Sequence, residues 1–157
     1  FFKEGSFYYI VLEYVDGMAL DKLLKKREKL SSPITMLILR DTCNALKYAH
    51  EKGIIHRDIK PGNILISRHG EIKLADFGIA SSEKESDNNS DLTQQGSALG
   101  TPAYMPPEQF SDSKTVDQRA DIYSLGIMLY EMVIGKKPFP GNFSPETLAQ
   151  IHKGKYG

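Results

Sequence analysis

Strand-like and helix-periodic segments alternate along the first part of the chain. Residues 7–15, FYYIVLEYV, are rich in β-branched and aromatic side chains, and this run predicts a buried strand that ends at residues 16–17. Leu20, Leu23 and Leu24 then recur at helical spacing. The pattern therefore predicts a strand, a turn and a helix in that order.

A longer helix follows, with typical start and stop residues. Ser32 and Pro33 are typical of an N-cap and a first helical residue, and Gly53 is typical of a helix end. The apolar residues that recur between them at helical spacing are Ile34, Leu37, Ile38, Ala45 and Ala49. This spacing predicts one apolar face that packs on a core.

The second half of the chain combines a hairpin, a polar segment and two further helices. Strand-like residues 63–66 and 71–76 flank Ser-Arg-His-Gly, whose composition is typical of a tight hairpin turn. Residues 81–97 are almost without apolar side chains and predict a mobile surface loop. An apolar helix is predicted at residues 121–134, and residues 144–146 are typical of the start of a last helix.

Composition narrows the class of protein. The 157 residues are 40% hydrophobic and 25% charged, with 20 basic and 20 acidic side chains, as in a single globular domain. The charge balance argues against a nucleic-acid partner, and the basic run at 25–27 is expected to be a solvated helix face. The longest apolar stretch, residues 122–134, is shorter than the roughly 18 residues of a membrane span and contains Glu131. With one cysteine, Cys43, and no signal peptide, a cytoplasmic setting is expected, with any membrane anchor outside this segment.

The sequence HRDIKPGN at residues 56–63 carries the candidate chemistry. Asp58 and Asp76 stand on either side of the predicted hairpin, which should bring the two carboxylates close together. With the carboxamide of Asn63 they form an all-oxygen set that suits Mg²⁺ better than zinc. The Lys60 ammonium would neutralise a phosphate. These residues predict magnesium-dependent phosphate chemistry.

Three motifs resemble those of eukaryotic-type protein kinases. HRDIKPGN at 56–63 resembles the catalytic loop, DFG at 76–78 the metal loop, and GTPAYMPPE at 100–108 the end of the activation segment. VLEYVDG resembles the hinge (about 12–17) and DIYSLG the central helix (about 121–134). The closest resemblance is to bacterial serine/threonine kinases. It implies an α+β protein-kinase-like fold, mainly the helical C-terminal lobe with hinge strand, catalytic-loop hairpin and activation segment (76–108).

The resemblance assigns roles to individual residues. It implies that Asp58 is the catalytic base, that Asp76 and Asn63 bind Mg²⁺ (or Mn²⁺), and that Lys60 contacts the transferring phosphoryl group of ATP. Lys60 together with Thr101, which would position the substrate, implies transfer to serine or threonine of a protein.

Further roles implied by the resemblance concern the nucleotide and regulation. The backbones of Glu13 and Val15 would bind adenine, Leu65 would pack under its ring, and Leu12 would be the gatekeeper. Arg57 would hold an activation loop phosphorylated at Thr93 or Ser97. The residues expected to be structural are His56 and Phe77, which would stack in the core, Asp121, which would cap a helix and anchor the catalytic loop, and Cys43, which would be buried. The remaining histidines are not expected to be ligands.

Two elements of the kinase pattern are missing before the hinge. No Gly-x-Gly occurs in the chain, and Lys73 lies on the wrong strand to replace the strand lysine that kinases pair with a helix glutamate. Residues 1–157 are therefore expected to be a partial kinase domain that lacks the small lobe and is inactive alone. The alternatives are a pseudokinase or regulatory binding fragment without catalysis, and a small-molecule kinase, which the GTPAYMPPE segment disfavours.

Overall fold

A computed structural model describes residues 1–77, 102–111, 116–142 and 144–154. In chain order, the strands are β1 (Phe2–Glu4), β2 (Phe7–Tyr9), β3 (Gly17–Ala19), β4 (Ile64–Ser67) and β5 (Ile72–Leu74), and the helices are α1 (Leu20–Arg27), α2 (Ser32–Glu51), α3 (Pro107–Ser111), α4 (Arg119–Ile134) and α5 (Pro145–Lys153). Short 3-10 turns occupy Pro61–Asn63 and Pro102–Tyr104. Gly78, Thr93, Ser97 and Thr101, for which roles were predicted, lie outside the described residues.

The long buried strand predicted at residues 7–15 is wrong in both length and burial. Only Phe7–Tyr9 are in a strand, paired antiparallel with Phe2–Glu4, and both strands are exposed. Residues 10–15, which include the predicted hinge strand, are not in a strand. Among the described residues no element packs over this hairpin, so its aromatic side chains pair with each other, and the rings of Phe2 and Tyr9 stack 5.0 Å apart.

The predicted hairpin at residues 63–76 is confirmed and belongs to a three-stranded antiparallel sheet in the order β3-β4-β5. Its third strand, β3, was not predicted. Gly17 of β3 pairs with Ser67, and a Cβ on Gly17 would lie 1.9 Å from the carbonyl oxygen of Ile66. Only glycine allows the two strands to approach this closely.

Helix α2 has nearly the predicted bounds but a different buried face. Its N-cap is Ser31, one residue earlier than predicted, and Pro33 lies in its first turn. Ile34 and Leu37 are about half exposed, whereas Ile38 and Ala49 are buried as predicted. The buried stripe is Thr35, Ile38, Thr42, Leu46 and Ala49. Thr42 is accommodated because its hydroxyl donates to the carbonyl of Ile38 at 2.8 Å. Cys43, predicted to be buried, is exposed because it lies outside this stripe.

One core joins α1, α2, the sheet and α4. Its buried members are Leu20, Leu24, Leu30, Ile38, Leu46, Ile59, Ile64, Leu125, Met128 and Met132. Met128 and Met132 of α4 are 0% exposed, and burial of each such side chain contributes about 1.5–3 kcal/mol. No helix within the described ranges has the length and apolar character needed to span a bilayer. The core holds Ile59, which lies between Asp58 and Lys60, and Ile64, which follows Asn63.

Candidate active site

The catalytic-loop segment is held by alternate buried residues. Ile59 and Ile64 are 1% and 0% exposed in the core, and Pro61 begins a 3-10 turn between them. The neighbouring Asp58 and Lys60 are only half-buried. The sequence alternation therefore anchors the segment while it presents two charged side chains toward solvent.

Asp58, Lys60 and Asn63 form one hydrogen-bonded cluster. The Lys60 Nζ lies 2.6 Å from Asp58 Oδ2. The Asn63 Nδ2 donates to the same Oδ2 at 3.0 Å and to the Asp58 carbonyl at 2.8 Å. Within the part of the chain that the structure describes, both side-chain donors meet Oδ2, which leaves Oδ1 available to a further donor. The cluster thus orients a carboxylate beside an ammonium group.

The hairpin returns the chain to Asn63 immediately before Asp76, and the closeness of the Asp58 and Asp76 carboxylates stays a prediction. The backbone N–H of Ala75 donates to the carbonyl of Asn63 at 2.9 Å, which joins the two segments immediately before Asp76. Asp76 is exposed, and its φ is +60°. Arg57 also has a positive φ, +64°. Left-handed backbone at residues other than glycine costs about 1–2 kcal/mol each and is concentrated at functional sites.

His56 links the two halves of the site. It is fully buried, and its ring lies 4.7 Å from that of Phe77, with the two ring planes tilted by 50°. Its Nε2 lies 2.9 Å from the Ala75 carbonyl, and its Nδ1 accepts from the N–H of Asp58 at 3.3 Å. These partners place the ring proton on Nε2, because a carbonyl only accepts and an amide N–H only donates. His56 therefore connects the residue before Asp76 to Asp58.

Asp121 anchors the loop, as predicted, but it does not cap its helix. It is the third residue of α4, whose N-cap is Gln118. Its carboxylate is 0% exposed and accepts from the backbone N–H of His56 at 2.9 Å and of Arg57 at 2.8 Å. His50 Nε2 also lies 2.7 Å from Asp121 Oδ2. Sequence reasoning missed His50, because the two residues are 71 positions apart and only their contact in the fold reveals the pair.

A second residue that the sequence did not single out holds Arg57. The side-chain Nε2 of Gln109, in α3, donates to the carbonyl of Arg57 at 3.1 Å. This bond connects the residue just after the predicted activation segment (76–108) to the residue before Asp58. The partners predicted for the Arg57 side chain, Thr93 and Ser97, lie outside the described residues.

Two of the predicted nucleotide-binding residues, Glu13 and Leu65, lie beside Lys73 of β5. Glu13 Oε1 lies 2.9 Å from Lys73 Nζ, and this carboxylate raises the pKa of Lys73. Lys73 pairs with Leu65 on the central strand β4, and Leu65 is half-buried. The fold therefore brings Glu13 and Leu65 to the same residue of the sheet, whereas the Leu12 side chain is 71% exposed.

A surface cavity of about 790 Å³ opens beside Lys60. It lies between α1, the 3-10 turn and the end of α4, and its lining includes Glu28, Lys60, Tyr104 and Glu131. The hydroxyl of Tyr104 donates to the carboxylate of Glu131, and Lys137 Nζ lies 5.2 Å from the centre of the Tyr104 ring. Burial, followed by the hydrogen bond to Glu131, raises the pKa of the Tyr104 phenol.

The oxygen donors available for a cation are few but chemically suitable. No group of three or more histidine, cysteine or acidic side chains clusters anywhere in the described ranges. Asp76 supplies a carboxylate, and Asn63 uses its amide nitrogen for Asp58 and so keeps its amide oxygen for another partner. One or two protein oxygens suit Mg²⁺, which retains waters and binds substrate phosphates as well.

Comparison with known proteins agrees with the motifs. The family model for the protein kinase domain matches residues 1–155. The serine/threonine-protein kinase PknB of Mycolicibacterium smegmatis is 43% identical over 148 residues, which cover 94% of this chain and 23% of that protein. PknB of Mycobacterium tuberculosis is 42% identical over 148 residues, which cover 94% of this chain and 23% of that protein. A probable serine/threonine-protein kinase PknB of Bifidobacterium longum is 46% identical over 144 residues, which cover 92% of this chain and 20% of that protein.

The chain thus spans less than a quarter of the length of these curated relatives. The family match confirms the predicted resemblance and the α+β, kinase-like fold class. The helices and small antiparallel sheets of this chain, with the catalytic-loop motif between them, are consistent with that family. The chain belongs to the protein kinase domain family.

Proposed function

We propose that the protein containing this chain transfers the γ-phosphoryl group of ATP to serine or threonine hydroxyls of proteins. The observation that carries the proposal is the Asp58 carboxylate, oriented by Lys60 Nζ at 2.6 Å and Asn63 Nδ2 at 3.0 Å. Phosphoryl transfer depends mainly on alignment and charge stabilisation, which this cluster provides. The names of the relatives, all serine/threonine kinases, support the substrate class.

Asp58 orients the hydroxyl of the protein substrate and accepts its proton through the oxygen that Lys60 and Asn63 leave unbound. Lys60 lies within reach of both this carboxylate and an incoming phosphate, so its charge stabilises negative charge at the transferring group. Asn63 and Asp76 would hold Mg²⁺, or Mn²⁺ in its place, because both offer oxygen donors at the same end of the sheet. When bound, the cation neutralises phosphate charge.

The nucleotide would lie against the edge formed by residues 13–15 and β4. In this proposal the backbones of Glu13 and Val15 bind adenine, Leu65 packs under its ring, and Leu12 borders the pocket. Half-burial of Leu65 and Val15 is consistent with a surface that a ring could cover. The Glu13–Lys73 ion pair supports this arrangement because it ties the hinge residues to β5.

The cavity beside Lys60 is the proposed path of the protein substrate. It runs from Asp21 and Lys25 of α1 to the 3-10 turn at Pro61, next to the catalytic cluster. Its charged lining includes both acidic and basic side chains, so it suits an extended polar peptide. Thr101 would position the substrate hydroxyl from outside the described residues.

The proposal can be tested with a chimaera in which this chain replaces the matching segment of the Mycolicibacterium smegmatis relative. The chimaera is expected to transfer phosphate from radiolabelled ATP to a serine- and threonine-containing protein. Asp58→Asn should lower turnover by about 10²–10⁴-fold, the usual contribution of a general base, and leave ATP affinity nearly unchanged. Asp41→Asn is the matched control, since Asp41 lies on α2, where its carboxylate pairs with Arg40. Equal turnover in both variants would refute the role of Asp58.

A further inference from the structure

The carboxylate of Asp121 is fully enclosed by protein, and its orientation is set by three donors. Oδ1 accepts from the N–H of Arg57 at 2.8 Å, while Oδ2 accepts from the N–H of His56 at 2.9 Å and faces His50 Nε2 at 2.7 Å. Since a buried carboxylate has no water to replace a lost donor, each of these bonds is costly to break.

His50 contributes something that the two backbone donors do not. Both backbone N–H groups belong to the loop that Asp121 holds, so these two bonds join the loop to α4 alone. His50 lies in the last turn of α2, on a different element, and its side chain is only 12% exposed. It therefore restrains the rotation of the Asp121 carboxylate and joins it to α2 as well.

We propose that His50 is a positioning residue for phosphoryl transfer. By donating to Asp121 it fixes the carboxylate that holds the His56 and Arg57 backbone, and so determines where the Asp58 carboxylate stands. This inference rests on the proposed role of Asp58 as the base. It assigns to His50 no contact with the substrate or the nucleotide.

The surroundings of His50 allow the inference to be tested by substitution. A cavity of about 350 Å³ lies beside its ring, bordered by Gly53, Ile55 and Arg119, so replacement side chains have room. Arg119 does not compete for the imidazole because its guanidinium pairs with Asp117 at 2.9 Å. The remaining nearby charges, on Lys47 and Glu51, pair with each other on the exposed side of α2.

The first experiment measures hydrogen exchange of individual backbone amides in this chain. His50→Leu should speed exchange at His56 and Arg57 by about 10-fold or more, the size expected when a charge-assisted hydrogen bond is lost, with a smaller change at Met128 in the core of α4. His50→Gln, which keeps a side-chain N–H donor, should restore most of the protection. His152→Leu, an exposed histidine also in the last turn of a helix, is the matched control.

The second experiment measures kinetics in the chimaera. His50→Leu should lower kcat by about 10-fold or more while the KM for ATP stays within about twofold, because the residue acts on Asp58 and not on the nucleotide. His50→Gln should recover kcat. A variant that only destabilised the fold would change both kcat and the KM for ATP, and His50→Gln would not restore kcat.

The two experiments separate this inference from the proposed function. If the unsubstituted chimaera transfers no phosphate, the proposed function fails, and the exchange experiment still decides whether His50 holds the loop. Unchanged exchange at His56 and Arg57 in His50→Leu overturns the inference. So does a His50→Gln variant that behaves like His50→Leu in exchange or in kcat.

Discussion

The side-chain amide of Asn63 donates to both the carboxylate and the backbone carbonyl of Asp58, at 3.0 and 2.8 Å. One residue thus fixes the rotamer and the main chain of its neighbour, and in the proposed function the same residue also offers an oxygen to the cation. The nitrogen of the amide binds Asp58 and the oxygen would bind the cation, so a substitution of Asn63 should disturb both interactions together.

Asn63→Ala should lower turnover of the chimaera by about 10²-fold and raise the Mg²⁺ concentration needed for half-maximal rate. It should also lower the free energy of unfolding by about 1–3 kcal/mol, because the Asp58 carbonyl loses its partner in a buried setting. Magnesium titration of the rate and urea denaturation measure the two effects. Asn44→Ala, on the exposed face of α2, is the control and should change neither.

Asp76→Asn should impair ATP binding and turnover together. The substitution keeps the size of the side chain but removes the charge that would attract Mg²⁺, so the KM for ATP at fixed Mg²⁺ should rise and kcat should fall. Steady-state kinetics at several Mg²⁺ concentrations test this. A kcat loss with an unchanged KM, the result expected for Asp58→Asn, would contradict the assignment of Asp76 as a cation ligand.

Gly17→Ala should destabilise the chain by about 1–3 kcal/mol or more, because its Cβ would lie 1.9 Å from the Ile66 carbonyl oxygen and would force β3 away from β4. Gly126→Ala in α4 is the matched control. Its Cβ would meet no atom within 4 Å, so the better helix propensity of alanine should stabilise the chain by roughly 0.5–1 kcal/mol. Urea denaturation of both variants gives the comparison, and similar losses in both would show that strand contact is not the cause.

Tyr104 should make stability depend on alkaline pH. Burial and the Glu131 carboxylate raise the pKa of the phenol above its ordinary value of 10.0. Its contribution is therefore fully present below about pH 10 and is lost as pH rises further, since the unfolded chain releases the proton first. Unfolding free energies of wild type and Tyr104→Phe should differ by the full amount at about pH 9 and converge as the pH rises above about 10. Glu131→Gln, which removes the charge but not the burial, should show a weaker dependence. A constant difference between wild type and Tyr104→Phe would refute this account.

Phosphorylation of Thr93 or Ser97 should activate the chimaera. A phosphate adds about −1.5 to −2 charges and strong acceptors, which Arg57 could bind bidentately. Mass spectrometry after incubation with ATP should locate phosphate at one of these residues, and a Thr93→Ala, Ser97→Ala double variant should lose activity. Ser81→Ala, at the start of the same polar segment, is the control. Unmodified sites together with full activity of the double variant would exclude this mechanism.

Local features of the fold could be predicted from sequence. The 67–70 turn and the β-rich runs on either side specify the hairpin, and the hairpin alone brings Asn63 and Asp76 to one place. The tilted ring contact of His56 with Phe77 also joins motifs on either side of that hairpin. These features depend on residues that are neighbours in the chain or directly across one turn.

Of the contacts between distant residues, the anchoring of the catalytic loop by Asp121 was predicted from the resemblance, and the others could not be predicted. His50 and Asp121, and Glu13 and Lys73, are ordinary charged or polar residues until the fold brings them together. In α2 the apolar residues occupy two adjacent faces, and the sequence does not show that the face containing Thr42 is the buried one. The strand predicted at residues 7–15 failed for a similar reason: its composition suits burial, but burial requires a packing partner.

The contacts of the catalytic loop differ in how much chain each must close. His56 meets Ala75 across a separation of 19 residues, whereas Arg57 meets Asp121 across 64. Because closure entropy grows with the logarithm of loop length, the longer closure costs about 1 kcal/mol more. Mild heat or denaturant should therefore release the loop from α4 while the hairpin stays paired. The position of Asp58 is then a more fragile property of the molecule than the sheet that carries it.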